Sequence, residues 1–275
     1  MNVLSLFDGI SCGQIALERA GIKYNTYYAS EIDKYAIQVT KKNYPNTIHI
    51  GDVNEIDFNE YIGEIDLLLG GSPCQGFSKA GKGLNFNDPR SKLFFKFAEA
   101  LNIIKPKYFL LENVKMKKEW IDIISKYLKV EPIHINSILV SAQNRNRLYW
   151  TNIPNVQQPE DKNIILQDIL EKGIAIRNKS KTVRVGGRLS NDRHEWDLAT
   201  TDGKRYSTLE CERLQTLPDK YTYGIPEGQR YKCIGNCWTV DIIAHIFKNI
   251  IYKNNIINIK QKYISSIDYN TNVMV

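Results

Sequence analysis

The chain has 275 residues, of which 43% are hydrophobic, and a formal net charge of +7 at pH 7. This size allows one large domain, or a domain with a smaller lobe, around a real core. No apolar run approaches the ~18 residues of a membrane-spanning helix, and the N-terminus lacks a signal-peptide pattern. We therefore expect a cytoplasmic protein without a membrane segment.

The five cysteines are an odd number and include no C-x-x-C pair. They are Cys12, Cys74, Cys211, Cys233 and Cys237. The spacing fits no common zinc pattern, and a cytoplasmic compartment disfavours disulfides. We expect no metal, and we expect any thiol chemistry to use one reduced cysteine.

The first 153 residues alternate between apolar strand-like runs and stretches with helical periodicity. Strands are predicted at 2–7, 26–30, 65–71, 107–113, 133–142 and 147–153. Helices are predicted at 13–21, at 33–44, from Pro89 to the residue before Pro106, and at 119–129. This alternation predicts an α/β domain with a mainly parallel sheet that is covered on both faces.

Three polar stretches follow predicted strands of this sheet. "FDG" follows strand 2–7, "PCQ" follows strand 65–71, and "EN" closes strand 107–113. In open α/β sheets, ligands bind beyond the carboxyl ends of the strands. The sequence therefore predicts a site at this edge, with the thiol of Cys74 in it.

Residues 154–204 break the pattern and predict a small irregular lobe. Its segment 172–193 has seven Lys and Arg residues against one Asp, which favours a polyanion such as nucleic acid as partner. Residues 205–253 return to the first domain, with helices predicted at 208–218, capped by Thr208, and at 239–253. The tail 254–275 has no predicted role.

Six sequence blocks occur in one order: "FDGISCG", "GGSPCQGFS", "LLENV", "QNRNRLYW", "ECERLQTLP" and "CIGNCWTV". Together they resemble the DNA (cytosine-5)-methyltransferases from Val3 to about Lys248, with features of the branch that contains the animal de novo enzymes. The resemblance implies a Rossmann-like fold that uses S-adenosylmethionine. It also implies methyl transfer to carbon 5 of a flipped-out cytosine in a specific duplex sequence.

The resemblance implies catalytic roles for five residues. Cys74 matches the nucleophile that adds to carbon 6 of the base, which is covalent catalysis. Glu112 matches the glutamate that hydrogen-bonds ring nitrogen 3 and the exocyclic amine, and Asn113 would steady the cysteine loop. Arg147 would contact the 2-keto oxygen, with Arg145 beside the cysteine or a phosphate.

The resemblance also implies a set of cofactor-binding residues. Glu31 would bond the ribose hydroxyls, Asp52 the adenine amine, and Ile32 would flank the adenine. Ser11 stands where many members have glycine. The full expected set is Phe7, Asp8, Gly9, Ile10, Glu31, Ile32, Asp52, Val53, Pro73, Leu93, Asn236 and Trp238.

A base inside a duplex must flip out to reach Cys74. The glycine- and lysine-containing stretch 76–92 suits a loop that closes over DNA, and residues 154–204 suit a target-recognition lobe. The expected DNA-binding residues are Gln75, Ser78, Lys79, Lys82, Arg184, Arg188 and Arg193.

Two alternatives stay open. One is a tRNA cytosine-5 methyltransferase, although the "CFT" stretch typical of that branch is absent from the sequence. The other is a non-catalytic DNA-binding homologue, although both Cys74 and Glu112 are present. For the main interpretation we expect a monomer on double-stranded DNA in a bacterial or phage-infected cell, with a separately encoded restriction endonuclease as a candidate partner.

Overall fold

A computed structural model of the chain describes residues 1–72, 93–184 and 198–250. The seven strands are β1 (Asn2–Leu6), β2 (Thr26–Ser30), β3 (Ile48–Gly51), β4 (Leu67–Gly70), β5 (Tyr108–Val114), β6 (Ile133–Asn136) and β7 (Asn146–Thr151). The helices are α1 (Cys12–Arg19), α2 (Lys34–Asn43), α3 (Leu93–Ile104), α4 (Lys118–Leu128), α5 (Leu166–Ile169), α6 (Thr208–Leu214), α7 (Glu227–Asn236) and α8 (240–250).

The seven strands form one sheet in the order β3-β2-β1-β4-β5-β7-β6. Pairs among β1 to β5 are parallel, whereas β7 is antiparallel to both β5 and β6. Only nine residues join β6 to β7, which is too short for a parallel crossover and suits an antiparallel pair. The predicted α/β class with a mainly parallel sheet is confirmed.

The sheet is buried on both faces because its central strands are apolar along their whole length. In β4, Leu67, Leu68 and Leu69 have no exposed surface. Leu67 and Leu69 belong to one buried cluster, with α1 and residues 240–250, while Leu68 belongs to another, with α3 and α4. This alternation follows from the two-residue period of a strand.

Several predicted boundaries were wrong. The strand expected at 133–142 ends at Asn136, because a 3-10 turn, Ser137–Leu139, follows and the Asn136 side chain accepts from the backbone N–H of Ile138. The helix expected at 208–218 ends at Leu214. Its cap is Ser207, not Thr208, and the Ser207 side chain and that of Glu210 form a capping box.

The sequence interpretation missed strand β3 and helix α7, as well as the one-turn helices Phe58–Tyr61 and α5. Strand β3 is a four-residue edge strand whose ends are exposed, so it lacks a clear apolar run. Helix α7 contains two glycines, which lower its helical propensity, and it packs against α6. The division into lobe and domain stays a prediction, although the bridge Gln143↔Ser180 ties the two parts together.

None of the helices within residues 1–72, 93–184 and 198–250 is both long and apolar enough to cross a membrane. The same residues contain no group of three or more His, Cys, Asp or Glu side chains arranged to hold a metal ion. The cysteines among them, Cys12, Cys211, Cys233 and Cys237, are buried and form no disulfide with one another.

Candidate active site

The carboxyl ends of the parallel strands meet at one edge of the sheet, and β7 begins there because it runs antiparallel. Leu6 is level with both Ser30 and Gly70, and Gly70 is level with Leu111. The register therefore places the residues that follow β1, β2 and β4 beside the end of β5. We call this edge, with the turns that follow its strands, the rim.

The turn 7–11 between β1 and α1 is tightly wound. Gly9 has φ +61°, and Phe7 and Ser11 also have left-handed φ values of 59° and 58°. The Ser11 hydroxyl donates to the Asp8 carboxylate, and the Tyr27 hydroxyl donates to its other oxygen at 2.8 Å. Ser11 thus keeps the left-handed conformation usual for glycine and bonds Asp8 in return.

Asp8 is consequently turned toward the protein, and burial raises the pKa of its carboxyl. Ile10 is buried too, and its carbonyl accepts from the Tyr221 hydroxyl at 2.7 Å. Tyr27 and Tyr221 were absent from the sequence-predicted site, because each reads as a core tyrosine. Their hydroxyls donate to Asp8 and to the Ile10 carbonyl and so stabilise the turn.

Glu31 follows β2 and is held rigidly by three backbone N–H groups. Its Oε2 accepts from Gly9 at 2.8 Å, and its Oε1 accepts from Ile32 and Asp33 at 2.8 Å each. A carboxylate has about four lone-pair sites, so this one keeps acceptor capacity for a ligand. A methyl group added at Gly9 would meet nothing within 4 Å, so there is open space beside it.

Asp52 and Val53 follow β3 on the same rim. Asp52 Oδ1 accepts from the backbone and side chain of Asn54, both at 2.9 Å. Val53 is buried and packs in the core, whereas Ile32 is 72% exposed on the surface. Ile32 therefore presents an apolar surface in this part of the rim, whereas Val53 belongs to the core.

Glu112 and Arg147 form an ion pair at the end of β5. Arg147 Nε lies 2.8 Å from Glu112 Oε1, and the side chains are only 12% and 13% exposed. Their positions are one diagonal step apart, since Glu112 is level with Tyr149 and Val114 with Arg147. The antiparallel pairing thus brings two residues distant in sequence to one face of the rim.

Asn113 points in the opposite direction and is 1% exposed. Its Nδ2 donates to the Ser72 hydroxyl at 3.2 Å, and its Oδ1 accepts from the Val114 N–H at 2.8 Å. Ser72 comes directly before the Pro-Cys pair in the chain. This contact ties the end of β5 to the segment that leads to Cys74.

Trp238 covers Gly71 at the end of β4. A methyl group built on Gly71 would lie 2.8 Å from Trp238 Nε1, so only glycine fits there without movement. Trp238 itself was predicted, but helix α7, which it follows, was not. Of the two other residues expected near the donor, Asn236 is exposed at the end of α7 and Leu93 is half-buried at the start of α3.

Arg145 is 3% exposed, and its guanidinium donates to three backbone carbonyls. Nη1 donates to Val183 at 3.1 Å, and Nη2 donates to Cys237 at 3.0 Å and to Gly235 at 3.4 Å. Burial lowers its pKa to about 10. A guanidinium in this position anchors neighbouring segments and is not presented to a phosphate.

Of the remaining predicted site residues, one lies within the residues that the structure describes and the others do not. Arg184 is exposed at the end of the range 93–184. The others lie outside the described residues: Pro73, Cys74, Gln75, Ser78, Lys79, Lys82, Arg188 and Arg193.

The strand order and the rim define the chain as an open α/β protein with a candidate site at the carboxyl ends of its strands. A solved methyltransferase from Entamoeba histolytica, EhMeth, shares this fold with a TM-score of 0.75 over 92% of this chain and 98% of its own, at 18% identity. The particular family follows from sequence. The profile of the C-5 cytosine-specific DNA methylases matches residues 1–172 and 117–252, so the chain belongs to that family.

Two curated relatives are named as methyltransferases. The Type II methyltransferase M.PspPI of Psychrobacter sp. is 30% identical over 91% of this chain and 79% of its own length. The orphan methyltransferase M.SPRI of Bacillus phage SPR is 36% identical over 76% of this chain and 49% of its own. The chain is a DNA (cytosine-5)-methyltransferase, and the resemblance read from its six blocks is confirmed.

Proposed function

We propose that the enzyme methylates carbon 5 of a flipped-out cytosine through a covalent adduct of Cys74, with S-adenosylmethionine as donor. The observation that carries the proposal is the Glu112–Arg147 pair at the rim, next to the Asn113–Ser72 contact. Cys74 is two residues beyond Ser72, and two extended residues span at most ~7 Å. We therefore assign Cys74 as the thiol that acts together with this pair.

Carbon 5 of an aromatic cytosine is a poor nucleophile, which is why a thiolate is needed. Addition of the Cys74 sulfur to carbon 6 breaks the aromaticity and makes carbon 5 enamine-like, so that it attacks the donated methyl group. Loss of the proton from carbon 5 then expels the thiolate and restores the ring. Covalent catalysis divides one difficult step into easier ones.

Glu112 and Arg147 supply a donor and an acceptor set for the edge of the base. In the free protein they bond each other. We propose that the incoming cytosine replaces this bond: its 2-keto oxygen accepts from Arg147, its exocyclic amine donates to one Glu112 oxygen, and its nitrogen 3 shares a proton with the other. New charge-assisted bonds in a water-poor site then offset part of the few kcal/mol that flipping costs.

The other side of the rim fits S-adenosylmethionine, which supplies an electrophilic methyl on a sulfonium when bound. Glu31 is an acceptor-only group fixed by three amides, as two ribose hydroxyls require. Gly9 and Gly51 both leave open space where a side chain would begin. Asp52 would accept from the adenine amine, Ile32 would flank the ring, and Trp238 would lie near the methionine end.

The substrate is double-stranded DNA, with residues 154–204 as the recognition lobe. Relatives include both Type II and orphan methyltransferases. We propose a monomeric cytoplasmic enzyme, with a separately encoded restriction endonuclease as partner in the Type II case.

The first test is bisulfite sequencing of DNA from cells that express the chain. Protected cytosines at a recurring sequence would show both the product and the target site. Transfer of labelled methyl groups to tRNA, with none to duplex DNA, would contradict the proposal in favour of the tRNA alternative.

The second test concerns the adduct. Cys74→Ser should remove methyl transfer and leave donor binding near normal, because an alcohol is far less acidic than a thiol. A duplex with 5-fluorocytosine at the target should trap the wild type in a denaturation-resistant complex, since fluorine cannot leave as a proton. An active Cys74→Ser variant, or no trapped complex on a proven substrate, would refute the mechanism.

A further inference from the structure

Two glutamines beneath the rim form a buried relay of hydrogen bonds. Gln143 and Gln215 have no exposed surface. Gln143 Oε1 accepts from the Val183 N–H at 2.8 Å, and its Nε2 donates to Gln215 Oε1 at 3.1 Å. Gln215 Nε2 in turn donates to the carbonyls of Ile234 at 2.9 Å and Cys237 at 3.3 Å.

Arg145 provides a second route between the same two places. It donates to the Val183 carbonyl at 3.1 Å and to the Cys237 carbonyl at 3.0 Å. Val183 is thus held through its N–H by Gln143 and through its carbonyl by Arg145. The carbonyl of Cys237 receives both Gln215 and Arg145, so the two routes close into a ring.

The direction of each amide in the ring is determined by its neighbours. Gln215 Nε2 faces carbonyls, which only accept, and Gln143 Oε1 faces an N–H, which only donates. A flipped amide would place like groups together. Because the ring is buried, a single missing partner leaves an unsatisfied group, which costs about 1–3 kcal/mol. The ring therefore specifies one arrangement.

Val183 and Cys237, on opposite sides of the ring, adjoin segments that the proposed function uses. Val183 lies in the basic segment 172–193 and directly precedes Arg184. This part of the lobe is seated on the core through Asn144, whose N–H donates to the Ser180 carbonyl at 2.8 Å. Cys237 directly precedes Trp238, whose ring lies against Gly71.

We propose that Gln143 and Gln215 are positioning residues that couple the seating of the recognition lobe on DNA to methyl transfer. They do so by fixing Val183 relative to Trp238, and they contact neither DNA nor donor. This inference rests on the proposed function. It predicts a loss of discrimination between target and near-target sequences, beyond any general loss of activity.

The first experiment uses the double variant Gln143→Leu/Gln215→Leu, which removes both partners of the central bond together. We expect the ratio of kcat/KM between the target duplex and a duplex altered at one base pair to fall at least about tenfold, and the KM for the donor to stay within about twofold. The matched control is Ser125→Ala, which removes the buried bond from Trp150 Nε1 at 3.0 Å, outside the ring. An equal fall on both duplexes, as expected for the control, would overturn the coupling.

The second experiment needs no activity. Hydrogen exchange in Gln215→Leu should quicken at residues 234–238 and also at 180–184, because Gln143 keeps the Leu214 carbonyl at 3.0 Å but loses Gln215 and holds Val183 less firmly. Faster exchange confined to 234–238 would overturn the ring as a linkage. If the wild type transferred no methyl group to DNA, the proposed function would fail while this result would still decide the linkage.

Discussion

Glu112 and Arg147 illustrate how two ordinary residues become a site. Each belongs to a strand, and only the antiparallel register of β5 and β7 puts the side chains 2.8 Å apart. Both are mostly withdrawn from water, where an ion pair is stronger and its loss is more costly. On the proposed function, a base that enters must therefore offer hydrogen bonds at least equivalent to this pair.

Glu112→Gln should lower kcat by about 10²–10³ with little change in donor affinity, because a neutral amide stabilises the attacked ring less well. Single-turnover methylation with saturating donor measures this effect. The control is Glu119→Gln, an exposed glutamate at the start of α4, which should leave kcat unchanged. A variant at 112 with wild-type kcat would remove Glu112 from the catalytic set.

At the scale of elements, the ends of β4 and α7 meet in a contact that leaves no room for a side chain. Gly71 lies under the Trp238 indole, and the preceding Gly70 lies against Phe97 of α3, where an added methyl would be 2.5 Å from the ring. The two glycines therefore face different neighbours: one supports the rim and the other the core.

Gly71→Ala should displace Trp238 and lower kcat/KM more than tenfold, because site geometry depends on small displacements. Gly70→Ala should mainly cost about 1–3 kcal/mol of stability through overpacking. Steady-state kinetics and urea unfolding of both variants separate the two effects. In the double variant Gly71→Ala/Trp238→Leu the clash is removed, so any stability that Gly71→Ala loses should return while activity stays low. A Gly71→Ala enzyme with unchanged kinetics would contradict the contact.

The end of α6 carries a pH-dependent contact. Arg213 donates to both oxygens of Asp219, at 2.9 and 2.7 Å, and this lowers the pKa of Asp219. A carboxyl whose pKa is lower when folded stabilises the protein above its unfolded pKa, about 3.9, and loses that contribution as pH falls through the folded value.

Asp219→Asn should therefore lower the free energy of unfolding at pH 7, by less than about 1 kcal/mol because the pair is partly exposed to solvent. The difference from wild type should shrink as the pH is lowered below about 3.9. Urea unfolding at a series of pH values measures this. A difference that grows toward acid would have the wrong sign for this ion pair.

At the scale of the whole molecule, the basic segment 172–193 is less uniform than its charge indicates. Lys181 is exposed, whereas Lys179 turns inward and donates to the carbonyls of Ile138 at 2.8 Å and Ser141 at 3.2 Å. Two lysines only two positions apart thus have different surroundings. Lys181 is available for a phosphate, and Lys179 fastens the lobe to the core.

Lys181→Ala should weaken DNA binding and reduce the slope of log K against log salt by about 0.9, the value for one phosphate contact. Lys179→Ala should leave the slope unchanged and lower thermal stability, since it leaves two carbonyls without their donor. Fluorescence anisotropy at several salt concentrations, with thermal unfolding of the same samples, compares the two. Equal slopes for wild type and Lys181→Ala would rule out that contact.

The alternation of apolar runs and helical periods was enough to predict the α/β class and the edge of the candidate site, because strands buried on both faces are continuous apolar runs in the sequence. The motif blocks determined the family for the same local reason, since each block is contiguous in the chain. The short edge strand β3 and the glycine-containing α7 show no such pattern.

Only the tertiary structure decided which polar residues face a ligand and which hold the protein together. Arg145 and Arg147 stand two apart in one block, yet one binds three backbone carbonyls and the other binds Glu112. Asp8 and Glu31 are both rim carboxylates, yet Asp8 turns toward Tyr27 and Glu31 toward backbone amides. A side chain's type states what it can bond, but its partners come from distant segments, and strand register and packing alone bring those segments together.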